Sequence, residues 1–464
     1  MHRSPKRFSR QVAAGAALAA VLLLPAMAAA ATVERALANG LRVIVQPDHR
    51  APVVVSMVWY RVGSVDEVNG ATGVAHALEH MMFKGTKSVP PGEFSRIIAA
   101  AGGRDNAFTS KDYTGYFQML HKSQLELSLR LEADRMANLA LSAEEWGKEI
   151  KVVMEERRLR TDDQPRSLLY EQLMATALTA HPYRAPIIGW MNDLENMRVE
   201  DALDFYRRWY APNNAIVVVV GDVDPQQVFQ LAEKHFGALQ SKPLPQRKPQ
   251  EEPEQRGIRR LTVKAPAELP HVLMAYRTPS LRDPERDWEP YALEMLAAVL
   301  DGNEAARLNR TLVREERLAS SADASYDGVG RGPGFFYLSA TPVPGKSAAE
   351  VEQGLRSEIR KIVEQGVKED ELKRARAQAV AAHVFQRDSM FFQARLIGWL
   401  ENAGLSHKSI DLQLEKLRQV TAQQVQEVAR KYFGDDALTV ATLDPQPLSA
   451  RRPVAPPAGL RHAQ

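Results

Sequence analysis

Residues 76–80 read HALEH, and residues 291–295 read YALEM. Both pentapeptides centre on Ala-Leu-Glu, yet only the first carries a histidine at each end. Upstream of each, YRVGS at residues 60–64 recurs as YRTPS at residues 276–280. Downstream, Tyr210, Ala215 and Asp222 are matched at a constant offset by Tyr432, Ala437 and Asp444. In both places an amphipathic helix ends in an aromatic residue, a short polar turn follows, and an apolar strand runs on to the aspartate. Matches in the same order at a near-constant spacing predict a duplicated α+β domain.

Runs of β-branched residues predict strands over 41–46, 53–60, 113–120 and 215–221, while helical periodicity predicts helices over 72–83, 124–139, 143–159 and 200–209. The pattern stops at LQSKPLPQRKPQEEPEQRG, residues 239–257, which has too little apolar surface to fold by itself. It reads as a linker between an N-terminal domain at 32–238 and a C-terminal domain at 258–446, with a flexible tail at 447–464.

Residues 1–31 carry Arg3, Lys6, Arg7 and Arg10 and no acid, then an apolar run over 12–24 and an alanine-rich AMAAAA segment. That order predicts a secretory signal peptide. The apolar run has thirteen residues, short of the roughly 20 needed to span a bilayer, and no later segment is long enough. The expectation is an exported, periplasmic protein with no membrane span in the mature chain. Losing the leader moves the formal charge from +3 to −1, which gives no reason to expect a nucleic-acid partner. The 464 residues contain no cysteine, which excludes disulfide staples and thiolate-ligated metal sites.

The chemistry lies in the first repeat. On a helix, His80 falls about 40° round from His76 and Glu79 about 60° the other way, so all three share one face. Imidazoles at i and i+4 can reach one metal ion, with the intervening carboxylate beside it. Tyr291 and Met295 replace both histidines in the second repeat, so Glu294 is expected to be an ordinary helix residue and the chain to hold one metal. A catalytic zinc takes three protein ligands, and without cysteine the third must be a carboxylate or histidine on a neighbouring element. KEIKVVMEERR at 148–158 offers Glu149 and Glu156 about two turns apart on one face; Val152, Val153 and Leu159 mark the buried side, and the periodicity favours Glu156.

HALEHMMFKGT, followed by the spaced glutamates, resembles the M16 family of inverted-motif zinc peptidases, which includes pitrilysin, insulin-degrading enzyme and mitochondrial processing peptidase. NGLRVIVQPD, NAFTSKDYTGYF, HPYRAPIIGW and FYRRWYAPNNAIVVVVGDVDP extend the resemblance over essentially the whole mature chain. It implies two homologous α/β-sandwich domains joined by a linker into a clamp, the second of them inactive. It implies zinc held by His76, His80 and Glu156, Glu79 as general base, Glu149 as a supporting acid, and Asn106 and Ala107 on an edge strand that holds peptide or unfolded-protein substrate. Family members with a complete site also carry an Arg and a Tyr in the second domain. Here REERLASSADASY keeps Arg314, but Ser320 or Ser321 stands where Tyr should be, and Tyr326 is too far along. Bacterial members often work as pairs. The expectation is therefore the zinc-bearing subunit of a heterodimer with a paralogous chain that supplies the Arg/Tyr pair, or else a homodimer. The other reading is a non-catalytic peptide-binding or assembly protein of the same fold.

Overall fold

The computed structural model describes residues 31–448. All but the last residue of the expected signal peptide and nearly all of the expected tail lie outside the described residues. Strands β1 (Val33–Ala36), β2 (Arg42–Pro47), β3 (Val53–Tyr60), β4 (Arg104–Thr109), β5 (Thr114–His121) and β6 (Ala215–Gly221) form one sheet in the order β1-β2-β6-β3-β5-β4. Strands β7 (Arg259–Pro266), β8 (His271–Thr278), β9 (Ala319–Asp327), β10 (Gly334–Pro342) and β11 (Leu438–Gln446) form the other, in the order β7-β11-β8-β10-β9. Leaving β1 aside, the two orders are the same: one parallel pair, β2·β6 or β11·β7, followed by antiparallel pairs out to β4 or β9. The duplication read from the sequence is thus a duplication of topology.

The central strands VVVSMVWY and AIVVVVG are almost wholly buried, which requires both sheet faces to be covered. One face of the first sheet packs Val43, Val54, Val58 and Val217 against that half's own helices. The other face, with Ile44, Val55, Met57, Trp59 and Val218, is covered by Ala394 and Ile397 of helix Met390–Ala403 from the second half. The exchange is reciprocal. Helix Pro165–Ala177 of the first half lays Leu169, Leu173 and Met174 on Ala275, Phe335, Ala441 and Leu443 of the second sheet. At the tightest crossing, a Cβ on Gly398 would overlap the Trp59 indole, so only glycine fits there.

The linker segment forms no helix or strand. It is nonetheless held by polar contacts: Glu252 accepts from the backbone N–H groups of Thr179, Ala180 and His181, and Arg247 Nε donates to Asp66 Oδ1 at 2.6 Å.

Where the exchanged helix Pro165–Ala177 begins, Arg166 Nη2 donates to Thr341 Oγ1 at 3.0 Å, and the same hydroxyl lies 2.9 Å from Nδ1 of buried His271. Burial first, and then the Arg166 charge, push the His271 imidazole down to about 4. Because this is below the unfolded value of about 6.5, the unfolded chain takes the proton first. Stability is therefore retained above pH 6.5 and lost as pH falls from there toward 4, by at most about 1.4 kcal/mol per pH unit. Thermal unfolding of His271→Gln should show a shallower loss of midpoint temperature between pH 6.5 and 5 than the parent protein. Equal slopes would show that His271 does not carry this dependence.

Candidate metal centre

The helix Val74–Met81 is buried on every side, which is unusual for a segment with three ionisable residues. Its N-terminus is fixed by carboxylates: Glu67 accepts from the backbone N–H groups of Gly73 and Ala75, each at 2.8 Å, and Asp193 accepts from the Thr72 hydroxyl at 2.6 Å. Both interactions suit the positive end of a helix dipole. Gly73 and Gly189, at φ of 89° and 88°, approach so closely that a Cβ on either would strike the other's Cα at 2.8 Å. Gly189 in HPYRAPIIGW thus has a steric task that no other residue could perform.

His76, Glu79 and His80 leave this helix toward helix Ala143–Arg157, which supplies Glu149 and Glu156. One ligand atom from each of His76, His80 and Glu156 lies within 4.8 Å of the others. Glu156 Oε2 is 3.3 Å from His80 Nε2 and 3.9 Å from His76 Nε2. On the far side of the ring, His80 Nδ1 lies 2.9 Å from Glu149 Oε1, and Lys84 Nζ meets Glu149 Oε2 at 2.5 Å. After Arg157 the chain enters a wide five-residue turn, Arg158–Asp162, that brings Arg160 Nη1 to 2.8 Å from Glu156 Oε1.

These contacts set the protonation states. Burial alone would lower the His80 pKa, but Glu149 and Glu156 outweigh it and lift the group to about 9. Burial would raise Glu156, yet His80, His76 and Arg160 hold it at about 2. Glu149 is also held below the ordinary carboxylate range, by His80 and Lys84 acting against burial. Glu79 differs: its largest influence is burial, which carries it up to about 7. Its Oε2 accepts a hydrogen bond from the Thr109 hydroxyl on β4. The donor set fits a zinc ion, which would displace the proton from His80: two imidazole nitrogens and one ionised carboxylate then converge at the wall of a cavity of about 1060 Å³.

Residues 42–190 match the family model described as Insulinase (Peptidase family M16), and residues 196–379 match the one described as Peptidase M16 inactive domain. The chain belongs to peptidase family M16. Among its M16 relatives, the zinc protease PqqE of Helicobacter pylori is 40% identical over 293 residues, which cover 62% of this chain and 64% of that protein. An uncharacterized zinc protease of Mycobacterium leprae is 31% identical over 405 residues, or 86% of this chain and 88% of that one. The crystal structure of a protease from Helicobacter pylori superposes with a TM-score of 0.84 at 32% identity, covering 89% of this chain and 100% of that one. The periplasmic protease PqqL from Escherichia coli shares the fold, with a TM-score of 0.77 at 19% identity over 90% of this chain and 49% of that one.

In the second M16 domain, Met295 is wholly buried and the Tyr291 hydroxyl donates to the Pro284 carbonyl at 3.0 Å, so both positions are structural. Glu294 pairs with His383 at 2.9 Å on a half-exposed surface. Asn106 and Ala107 sit on β4, the edge of the first sheet, and line the cavity together with His76, Glu79 and Glu156. Arg314 is not among the cavity-lining residues; it is exposed and donates to the Glu304 carbonyl at 2.6 Å. Sequence reasoning missed Thr109, Lys84 and Arg160. Only Arg160 left a trace there, as a cation one helical turn beyond Glu156. It also missed the tie on the β4–β5 turn, where Asp112 accepts from the Tyr183 hydroxyl at 2.5 Å and from the backbone N–H of Arg331, in the second domain, at 2.8 Å.

The Glu149 contact orients His80 and selects the ring nitrogen that faces Glu156. Glu149→Gln should therefore weaken zinc binding by about 10- to 100-fold in a chelator competition, with the fold unchanged by circular dichroism. An unchanged affinity would remove Glu149 from the metal centre.

Proposed function

We propose that this chain is a zinc-dependent endopeptidase that hydrolyses peptides or unfolded polypeptide segments. The observation that carries the reading is the convergence of His76, His80 and Glu156 beside the Glu79 carboxylate at the wall of one large cavity. One zinc ion per chain, held by those three residues, would supply Lewis-acid polarisation of a carbonyl and activation of water. Glu79, raised by burial to about 7, is poised to take a proton from water near neutral pH and to return it to the leaving amine. Thr109 holds the orientation of that carboxylate.

Substrate would lie along β4. An edge strand can add an extended peptide through main-chain hydrogen bonds, and Asn106 and Ala107 are the cavity-lining residues of β4 nearest its middle. A folded protein would not enter as a single extended strand. We further infer that the chain is exported to the periplasm, as residues 1–31 suggest. No helix among the described residues is long and apolar enough to cross a membrane. Arg314 would act in substrate binding only within a complete site, and a second M16 chain supplying the missing Arg/Tyr pair completes one.

Hydrolysis of a quenched-fluorescence peptide by the mature chain should be abolished by a chelator and restored by zinc. Glu79→Gln should lower kcat by about 10²- to 10⁴-fold while keeping one zinc per chain. Parent-level activity in Glu79→Gln would end the general-base assignment. Addition of an M16 chain that has the Arg/Tyr pair but lacks H-x-x-E-H should raise activity severalfold, and full activity from the lone chain would contradict the pairing.

A further inference from the structure

Apart from the metal-binding residues, the cavity wall carries an excess of positive charge. Arg104 on β4, Lys111 in the β4–β5 turn, Arg166, Arg184 and Arg395 all line it, and they come from five separate segments of both halves. Among the described residues, none of the five has a carboxylate within ion-pairing distance; their contacts are with neutral groups. Arg104 Nε and Nη2 donate to Met119 Sδ at 3.2 and 3.0 Å, Arg166 to the Thr341 hydroxyl at 3.0 Å, and Arg184 to the Thr179 carbonyl at 3.0 Å. The Arg395 guanidinium lies 6.0 Å from the Phe108 ring centre, and the Lys111 ammonium 4.7 Å from that of Tyr183.

Most acids of the same wall are committed elsewhere. Glu79 and Glu156 belong to the metal centre and Glu171 is gripped by both terminal nitrogens of Arg157 at 2.8 and 2.9 Å, while Asp105, which accepts the Ser95 hydroxyl at 2.6 Å, keeps its charge and leaves the cations in excess. Lys111 is also attracted by Asp327 of an adjoining smaller cavity, so the excess positive charge rests on the four arginines. Isolated surface arginines are usually just solvated. Here four of them converge on one concavity with low-dielectric walls, where their fields add and attract anions from solution. A peptide extended along β4 would pass Arg104 at one end of the strand and Arg395, beside the Phe108 ring, toward the other, with Arg166 on the same cavity wall.

We propose that the cavity selects acidic segments, those with Asp or Glu flanking the bond held at the metal centre. Cleavage of such segments rests on the peptidase reading above, whereas their preferential binding does not.

Two quenched peptides that differ only in having Glu or Lys on both sides of the scissile bond would measure the preference. At low ionic strength the Glu peptide should have the higher kcat/KM by on the order of 10-fold, and the gap should close toward parity in 1 M salt. Arg166→Gln combined with Arg395→Gln should cut the preference severalfold, with zinc content unchanged as the check on folding. Equal or reversed preference in the parent protein would overturn the proposal. Anisotropy binding of the uncleaved peptides to Glu79→Gln separates the two readings. If neither peptide is hydrolysed but the Glu peptide binds more tightly, the peptidase reading fails and the acidic preference stands; if the Lys peptide binds equally or better, the acidic preference falls whatever the hydrolysis shows.

Discussion

Two imidazoles and two carboxylates, His76, His80, Glu149 and Glu156, form a chain of contacts in the interior of the first domain, with the buried Glu79 on the same helix as the histidines, where an isolated charge would be strongly disfavoured. Removing one partner of such a buried pair typically costs about 3–5 kcal/mol, because the remaining charge is left uncompensated. Much of the surrounding architecture answers that constraint. Lys84 and Arg160 bring positive charge to Glu149 and Glu156, while Glu67 and Asp193 fix the end of the helix that bears the histidines. Arg157 ties the second helix to Glu171 and to the Gly189 carbonyl at 2.8 Å, the same glycine that lets the first helix pass so closely. A divalent ion placed between Glu156 and the two imidazoles would take the place of the proton that these carboxylates hold on His80.

The second domain has no histidines at the matching positions, yet it shapes what surrounds the first. Its helix Met390–Ala403 covers the far face of the first sheet and brings Phe391 and Arg395 to the cavity wall. Its Arg331 bridges Asp66 and Asp112, with Nη2 at 2.7 Å from Asp66, and so fastens the β4–β5 turn that follows Thr109. The second domain, without those histidines, is nonetheless indispensable to the fold, because each sheet is covered by a helix from the other half.

Elements with strong periodicity were legible from residues alone. The strands at Val53–Tyr60 and Ala215–Gly221 and the helix at Val199–Trp209 lie within a residue of expectation, because uninterrupted apolar runs and a clear amphipathic face specify them. The duplication was legible for the same reason. Strand β4 was not: RDNAFT is polar on both faces, and it was expected only from the family resemblance. The exchanged helices were hidden too, since nothing in PRSLLYEQLMATA or MFFQARLIGWLENA says which sheet it covers. Within the site, the spacing of His76, Glu79 and His80 was enough to place them together. Thr109, Lys84 and Arg160 enter only through tertiary approach, which one-dimensional spacing cannot show.

If His76, His80 and Glu156 hold one zinc ion, X-ray absorption at the zinc edge of the purified mature chain should show it. The expected shell has two imidazole nitrogens at about 2.0–2.1 Å and a carboxylate oxygen at about 2.0–2.2 Å, with the imidazole scattering halved in His80→Ala. A shell made only of oxygen, or one unchanged by His80→Ala, would contradict it.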